Sequence, residues 1–453
     1  RGSRVYNDNA LRLGDSYFLK KQYDNAISAY KPVAEGRYPQ SDYALFQTGI
    51  LRGLQGEPQT KVSVLQKIES SFPKSLFVDD ALFEIGDTYL KSLNQPESAL
   101  RMFNRLIANH SASIYVPASY VKIGNIFNNS GDYEKALEYC KKVIEEFPNT
   151  ASAKEAYDLG ETVSIQMNQV DEWLTYVNDR PNSGMRVTYQ DSLLYESSLQ
   201  KYRMGDCAGA MKGFNSYKSR FGKSGFFLIE AHYYVAECAY ADNQYDVAAE
   251  NYKYVADQSL SEYLEDATYK LAELYYWQKK YTKALPYFSK LERIASSKMH
   301  FTSAVVGQMR CNYTLGNMDA AKKNATDVLP IENVEASYLI EANLILGKIQ
   351  YENKNFLTSM FHLDYVVKES STEEGAEAQY YRCRLLFNQE KYEDSKGEIF
   401  GMSEDFASYE YWVVKGFILL ADIYVAEDDY FQARATLQGI QEAYDGDQAL
   451  LDE

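Results

Sequence analysis

Apolar residues along this chain return in a helical rhythm, and the rhythm itself repeats. A large apolar residue is followed three positions later by Ala or Ser, four further on by an aromatic or aliphatic residue, and after three more by another aliphatic. The clearest copies are Tyr23/Ala26/Tyr30/Val33, Tyr133/Ala136/Cys140/Val143, Tyr245/Ala248/Tyr252/Val255, Tyr281/Ala284/Phe288/Leu291 and Tyr430/Ala433/Leu437/Ile440. Offsets of three and four place such a stripe on one face of an α-helix. Upstream of each stripe lies a second helical stretch, with a large–small pair and then an aromatic. Examples are Leu13-Gly14 with Tyr17, Ile85-Gly86 with Tyr89, Ile123-Gly124 with Phe127, Leu271-Ala272 with Tyr275 and Leu420-Ala421 with Tyr424. Glycine inside a helix costs about 1 kcal/mol against alanine, so its presence points to a partner helix crossing too closely for a side chain. Short polar turns such as Ser130-Gly131-Asp132, Asp242-Asn243-Gln244 and Glu427-Asp428-Asp429 separate the two stretches. Several repeats close on proline, at Phe72-Pro73, Phe147-Pro148 and Leu329-Pro330, which cannot continue a helix.

The pattern recurs at about 36 to 38 residues, with repeats starting near 7, 42, 79, 117, 153, 191, 229, 265, 302, 340, 376 and 414. A fixed period of this length means stacked copies of one supersecondary element. These residues resemble the tetratricopeptide repeat family over essentially the whole chain. The closest copy runs from Pro117 to Pro148, where Ile123-Gly124, Phe127, Gly131, Tyr133, Ala136, Cys140, Val143 and Pro148 occupy the family's large and small positions. The resemblance implies an all-α fold, a right-handed α-solenoid superhelix of about twelve helix-turn-helix repeats. Glu145-Glu146-Phe147-Pro148-Asn149-Thr150 and Ser71-Phe72-Pro73-Lys74-Ser75 are similar to bacterial cell-envelope members of the family. That similarity implies a periplasmic or outer-membrane-associated location in preference to a cytoplasmic one.

A single superhelix over 1–453 is expected, with one candidate joint near 178–190 dividing 1–180 from 185–453. The fifth repeat keeps Leu159-Gly160 but places Trp173 and Val177 in a shortened second helix, then runs through Pro181-Asn182-Ser183-Gly184, the strongest loop signal in the chain.

Composition narrows the function. With 64 acidic and 47 basic residues the formal charge is −17, a field that repels phosphate backbones and anionic lipid. Nucleic acid is therefore not an expected partner, and no apolar run is long enough to span a bilayer. The N-terminal Arg1-Gly2-Ser3-Arg4 lacks an apolar signal region and reads as a cloning remnant or an internal start. Tyrosine is abundant, 41 in 453. The five cysteines show no C-x-x-C, and Cys140, Cys238, Cys311 and Cys383 fall at helix-packing positions, where cysteine acts as a small hydrophobe.

No catalytic constellation is legible, and no cofactor is expected. His110, His232, His300 and His362 have no second ligand at metal-binding spacing. Phe221-Gly222-Lys223-Ser224 is similar to the end of a phosphate loop, but Tyr217 stands where that loop needs glycine.

The resemblance implies that the first helix of each repeat (helix A) lines a concave groove with its second, fifth, ninth and twelfth positions. Fifth, ninth and twelfth share one face by geometry. The fifth gives Tyr157, Tyr195, Tyr233, Tyr269, Val306, Leu344 and Tyr380; the twelfth gives Tyr202, Tyr240, Tyr276, Tyr313, Tyr351 and Phe387. Two aromatic ladders are thus expected to form either a peptide-binding wall or filling between successive A helices. The ninth position reads Asp15, Ile50, Asp87, Asn125, Glu161, Leu199, Glu237 and Glu273, then Arg310, Lys348 and Arg384 before Asp422. Arg310, Lys348 and Arg384 form a basic patch for an acidic partner segment, or salt bridges to Glu341 and Glu377. A carboxylate clamp of the kind some family members use is not expected, because Val306, Leu344 and Tyr380 stand where it wants lysine.

The expected function is a non-enzymatic scaffold that binds a partner protein or extended peptide in the groove. The alternative is an accessory or regulatory module of a larger enzyme or cell-envelope assembly machine whose active part lies outside this chain.

Overall fold

The computed structural model describes residues 4–180 and 185–452, and among them there is no strand. The chain forms two compact units, Arg1–Phe226 and Phe227–Glu453. In the N-terminal unit the helix pairs are α1 (Arg4–Leu19) with α2 (Tyr23–Ala34), α3 (Ser41–Leu54) with α4 (Pro58–Ser71), and α5 (Val78–Lys91) with α6 (Pro96–Asn109). They continue with α7 (Val116–Asn129) and α8 (Tyr133–Glu146), α9 (Ala151–Gln166) and α10 (Val170–Asn178), and α11 (Val187–Arg203) and α12 (Cys207–Phe221). The C-terminal unit has α13 (Leu228–Ala241) with α14 (Tyr245–Ala256), α15 (Leu264–Trp277) with α16 (Tyr281–Ile294), and α17 (Lys298–Thr314) with α18 (Met318–Val328). Next come α19 (Ala336–Glu352) with α20 (Phe356–Glu369), α21 (Glu373–Asn388) with α22 (Tyr392–Asp405), α23 (Glu410–Ala426) with α24 (Tyr430–Ala443), and a last turn of helix, α25 (Gln448–Asp452). The fold is the expected all-α solenoid of helix-turn-helix pairs.

Every turn inside a pair is built alike. One residue takes the left-handed conformation: glycine at Gly56, Gly131, Gly205 and Gly316, and another residue type at Lys21, Asn94, Asn168, Asn243, Lys279, Lys354, Glu390 and Asp428, whose φ lies between 52° and 63°. In most turns the next N–H then reaches back five residues, as from Asp132 to the Phe127 carbonyl (3.0 Å) and from Lys280 to Tyr275 (2.9 Å). This bond closes the first helix and aims the second back along it.

The second-helix stripe is the core. Ala26, Tyr30 and Val33 are fully buried, as are Ala99, Phe103 and Leu106, and Ala248, Tyr252 and Val255. Where serine replaces the alanine, its hydroxyl donates to a first-helix carbonyl, Ser359 to Gly347 (2.7 Å) and Ser395 to Cys383 (2.9 Å). The helical glycines are explained by rings. A Cβ on Gly14 would lie 2.4 Å from the Tyr30 ring, on Gly86 2.7 Å from Phe103, and on Gly160 2.3 Å from Trp173.

The fifth pair is the short one, with only nine residues in α10. Pro181, Asn182, Ser183 and Gly184, on which the expected joint rests, lie outside the described residues. Cys140, Cys238, Cys311 and Cys383 are buried and unbridged; burial pushes the Cys140 thiol up to about 12. Gly222–Ser224 forms a single 3-10 turn after α12, which is no phosphate loop.

Candidate functional site

The first helices carry carboxylates, and tyrosine hydroxyls from neighbouring helices, or for Tyr115 from the residue just before one, donate to them. In the N-terminal unit Asp15 of α1 accepts from Tyr30 of α2 (2.5 Å) and Tyr43 of α3 (2.8 Å). Asp80 accepts from Tyr115 (2.9 Å), Glu161 from Tyr189 (2.6 Å) and Asp191 from Tyr217 (2.7 Å). In the C-terminal unit Glu237 accepts from Tyr252 (2.5 Å) and from Lys270 (2.7 Å), and Asp266 from Tyr233 (2.6 Å). A phenol donating to an ionised carboxylate makes a strong, charge-assisted bond, and it resists losing its proton. Tyr43 and Tyr115 are pushed up to about 12, by burial first and by Asp15 and Asp80 next. Tyr189 is also pushed up to about 12, chiefly by its bond to Glu161.

The twelfth- and fifth-position tyrosines have unequal surroundings. In the N-terminal unit Tyr195 is only 5% exposed and packs on the Phe214 and Tyr217 rings (5.9 and 6.2 Å), while Tyr202 is half-buried. In the C-terminal unit Tyr233 lies against Tyr263 (4.3 Å) and Tyr269 against His300 (4.7 Å), both half-buried. Tyr276 is half-buried between Tyr281 and Phe288, and Tyr313 lies beneath Lys348. Tyr351 is buried edge-on to Tyr381 and accepts from Asn388 (3.0 Å). Tyr240 alone of these eight counts as exposed, at 47%. A more exposed ring is one the ladders skipped: Trp277, 74% exposed, directly after Tyr276. Its signal in the sequence is a tryptophan one position beyond the ladder, at the open end of a first helix.

The basic patch is largely engaged. Arg310 makes a bidentate pair with Glu341 (2.9 and 2.7 Å), and Lys348 bonds Glu377 (2.5 Å). Burial disfavours the Lys348 charge, yet Glu377 outweighs it and holds the ammonium above its usual range. Arg384 instead lies over the Tyr351 and Tyr380 rings (5.3 and 5.9 Å). Two of the three cations thus stitch adjacent first helices together, through the two glutamates the sequence offers for it. Replacing Lys348 with Met strands a carboxylate that is 17% exposed. We expect a loss of about 2–3 kcal/mol, most of it recovered in a Lys348→Met/Glu377→Gln double variant; equal losses in both variants by urea denaturation would show that the pair is not the cause.

The histidines serve packing. His232 stacks on Tyr254 (3.8 Å) and bonds Asn251, His362 bonds Asn343 (2.8 Å), and His300 bonds Glu265 (2.7 Å). Burial opposes ionisation of Glu265, but bonds from Ser296, His300 and the Ser297 N–H prevail and lower it to about 2. Among the described residues no group of three or more His, Cys, Asp or Glu could hold a metal ion, and no helix is long and apolar enough to cross a membrane. An open cavity of about 850 Å³ lies on the N-terminal unit, lined by Tyr157, Glu161, Arg186 and Tyr189 among others. A more apolar one of about 540 Å³ lies on the last helix pair, between Phe417, Tyr424, Ile440 and Tyr444.

Tetratricopeptide repeat profiles match residues 8–41, 43–75, 80–113, 117–150 and 236–298. No curated protein matches the chain. Among solved structures the chain is similar to Naa15/Naa10 bound to HypK-THB, at 11% identity over 95% of this chain and 68% of that one, with a TM-score of 0.39. It is similar to the MamA protein at 21% identity over 44% of this chain and 94% of that one, TM-score 0.33. It is also similar to the APC/C hetero-tetramer Cut9–Hcn1, at 10% identity over 100% and 96%, TM-score 0.33.

Proposed function

For this chain of tetratricopeptide repeats, we propose a non-enzymatic role: a scaffold that holds a partner protein or extended peptide along its first helices. The observation that supports it is the pair of rings Tyr240 and Trp277, 47% and 74% exposed in the C-terminal unit. Each touches a neighbouring ring, Tyr240 that of Tyr245 (5.7 Å) and Trp277 that of Tyr276 (6.2 Å), yet both keep apolar area in water. Tyrosine and tryptophan offer large rigid contact surfaces at small entropic cost, which makes them frequent anchors of interfaces. On the first helices near them Glu237 accepts from Tyr252 and Lys270, Asp266 from Tyr233, and Glu341 from Arg310. These bonds give a stiff backing for a ligand.

Baits carrying Tyr240→Ala or Trp277→Ala, compared with wild type in pull-downs from native extract, test this role. Each substitution should weaken capture of a specific partner by about 1–3 kcal/mol once its affinity is measured, with thermal stability unchanged. Full capture by the double variant would sink the proposal, as would a parallel loss of stability.

A further inference from the structure

The ninth-position acids of α13 and α15 have the same place in adjacent repeats and opposite circumstances. Glu237 on α13 is satisfied twice, by the hydroxyl of Tyr252 from α14 and by the ammonium of Lys270 from α15. At the position corresponding to Tyr252, the next repeat has Phe288, which has no hydroxyl to give. At the position corresponding to Lys270 it has Gly307, which has no side chain; the Phe288 ring lies against it, 2.4 Å from where a Cβ would be. Both donors that serve Glu237 are therefore missing by sequence at Glu273. Among the described residues no ion pair reaches Glu273. Arg310 is the nearest opposite charge, but its Nε and Nη2 are both committed to Glu341.

Aromatic rings surround this carboxylate on its own helix. Tyr269 stands one turn before it, and Tyr276 and Trp277 one turn after, at spacings that put all three beside it. Trp277 is 74% exposed and Glu273 itself is partly covered. Burial raises the Glu273 pKa, and the Arg310 charge and the Trp277 indole offset this only in part. A partly desolvated carboxylate without a counter-ion gains most from a cation, and aromatic faces attract the same ligand. The net charge of −17 draws basic segments toward the chain as a whole.

We propose that Glu273, flanked by Tyr269, Tyr276 and Trp277, seats one basic side chain, lysine or arginine, of an extended peptide lying along the C-terminal unit's first helices. The inference rests on the scaffold reading above and gives the ligand its chemistry. It requires no covalent step and no further component.

The experiment is a selection of random twelve-residue peptides on the full chain and, in parallel, on Glu273→Gln. Wild type should enrich peptides with Lys or Arg at one fixed position, and Glu273→Gln should lose that enrichment while still selecting aromatic or aliphatic residues around it. For the strongest peptide, replacing the selected basic residue with its neutral counterpart (citrulline for Arg, norleucine for Lys) should weaken binding to wild type at least tenfold and leave binding to Glu273→Gln almost unchanged. The melting temperature of Glu273→Gln should equal or exceed that of wild type, because the substitution removes a partly desolvated charge that burial penalises more than its surroundings offset. Equal basic enrichment on both proteins, or a melting temperature that falls because Glu273 serves the fold through Arg310, overturns the assignment of Glu273 and leaves the scaffold reading standing. Selection of no peptide at all by wild type overturns both.

Discussion

Replacing Trp173 with alanine should cost the N-terminal unit about 3–5 kcal/mol, the range for deleting a large buried ring. The indole is 2% exposed. It fills the space left by Gly160, stacks on Tyr176 (5.5 Å) and leans on Tyr157 (6.3 Å). Its helix has only nine residues, of which Val170, Trp173, Leu174 and Val177 are buried, so packing must hold what so short a helix cannot hold by itself. Among the described residues the indole N–H has no hydrogen-bond partner. Trp173→Phe therefore forfeits no bond and should cost well under half as much as the alanine variant. Urea denaturation followed by circular dichroism gives the totals, and hydrogen exchange should show α9 and α10 opening first, since each repeat leans mainly on its neighbours. A midpoint within error of wild type for Trp173→Ala would remove α10 from the list of structural supports.

The second large effect is expected in alkali. Tyr43, Tyr115, Tyr176 and Tyr189 are all pushed up to about 12 from an ordinary 10. A phenol that holds its proton more tightly when folded contributes its full stabilisation below pH 10 and loses it as the pH rises through about 12. Two pKa units correspond to about 2.7 kcal/mol before solvent screening is allowed for. The figure is smaller for Tyr189, whose ring is 49% exposed, but several such groups act together. Ultraviolet titration should resolve one class of tyrosines ionising near pH 10 and a second released only as helicity collapses between pH 10 and 12. Tyr43→Phe should shrink the second class and lower stability at neutral pH, because Asp15 then loses one of its two donors. A single titration step near pH 10 with helicity intact at pH 12 would contradict the phenol–carboxylate bonds.

The helix pairs were legible because their signal is periodic. Stripes such as Ala99/Phe103/Leu106 mark a buried face whatever the neighbours are, and Ile85-Gly86 marks the place where Phe103 lands. The salt bridges from Arg310 and Lys348 were legible too, since Glu341 and Glu377 are the acids available on the next first helices. What the pattern hid depends on which neighbour each side chain meets. Asp15 and Glu273 look alike in sequence, yet one has two tyrosine donors and the other has Phe288 and Gly307 at the positions that supply donors to Glu237. Tyr195 and Tyr240 are both read as ladder rings, but one is covered by Phe214 and Tyr217 and the other is 47% exposed. The left-handed turn residues were hidden for a different reason: Lys21, Lys279, Lys354 and Glu390 carry no glycine-like mark, and the closing bond of the turn imposes the conformation on them.

The bonds that cross from one pair to the next also bear on how such a chain can change its length. Within the N-terminal unit, Asp15 waits for Tyr43 of the following pair, Asp80 for Tyr115 and Glu161 for Tyr189; within the C-terminal unit, Glu237 waits for Lys270 and Lys348 for Glu377. A pair excised at its loops abandons the acid of one neighbour and the donor of the other, and an inserted copy meets a seam with the wrong complement on both sides. The repeats are alike in shape but are addressed to particular neighbours, so their order along the chain is written in polar chemistry even though their packing would accept several orders.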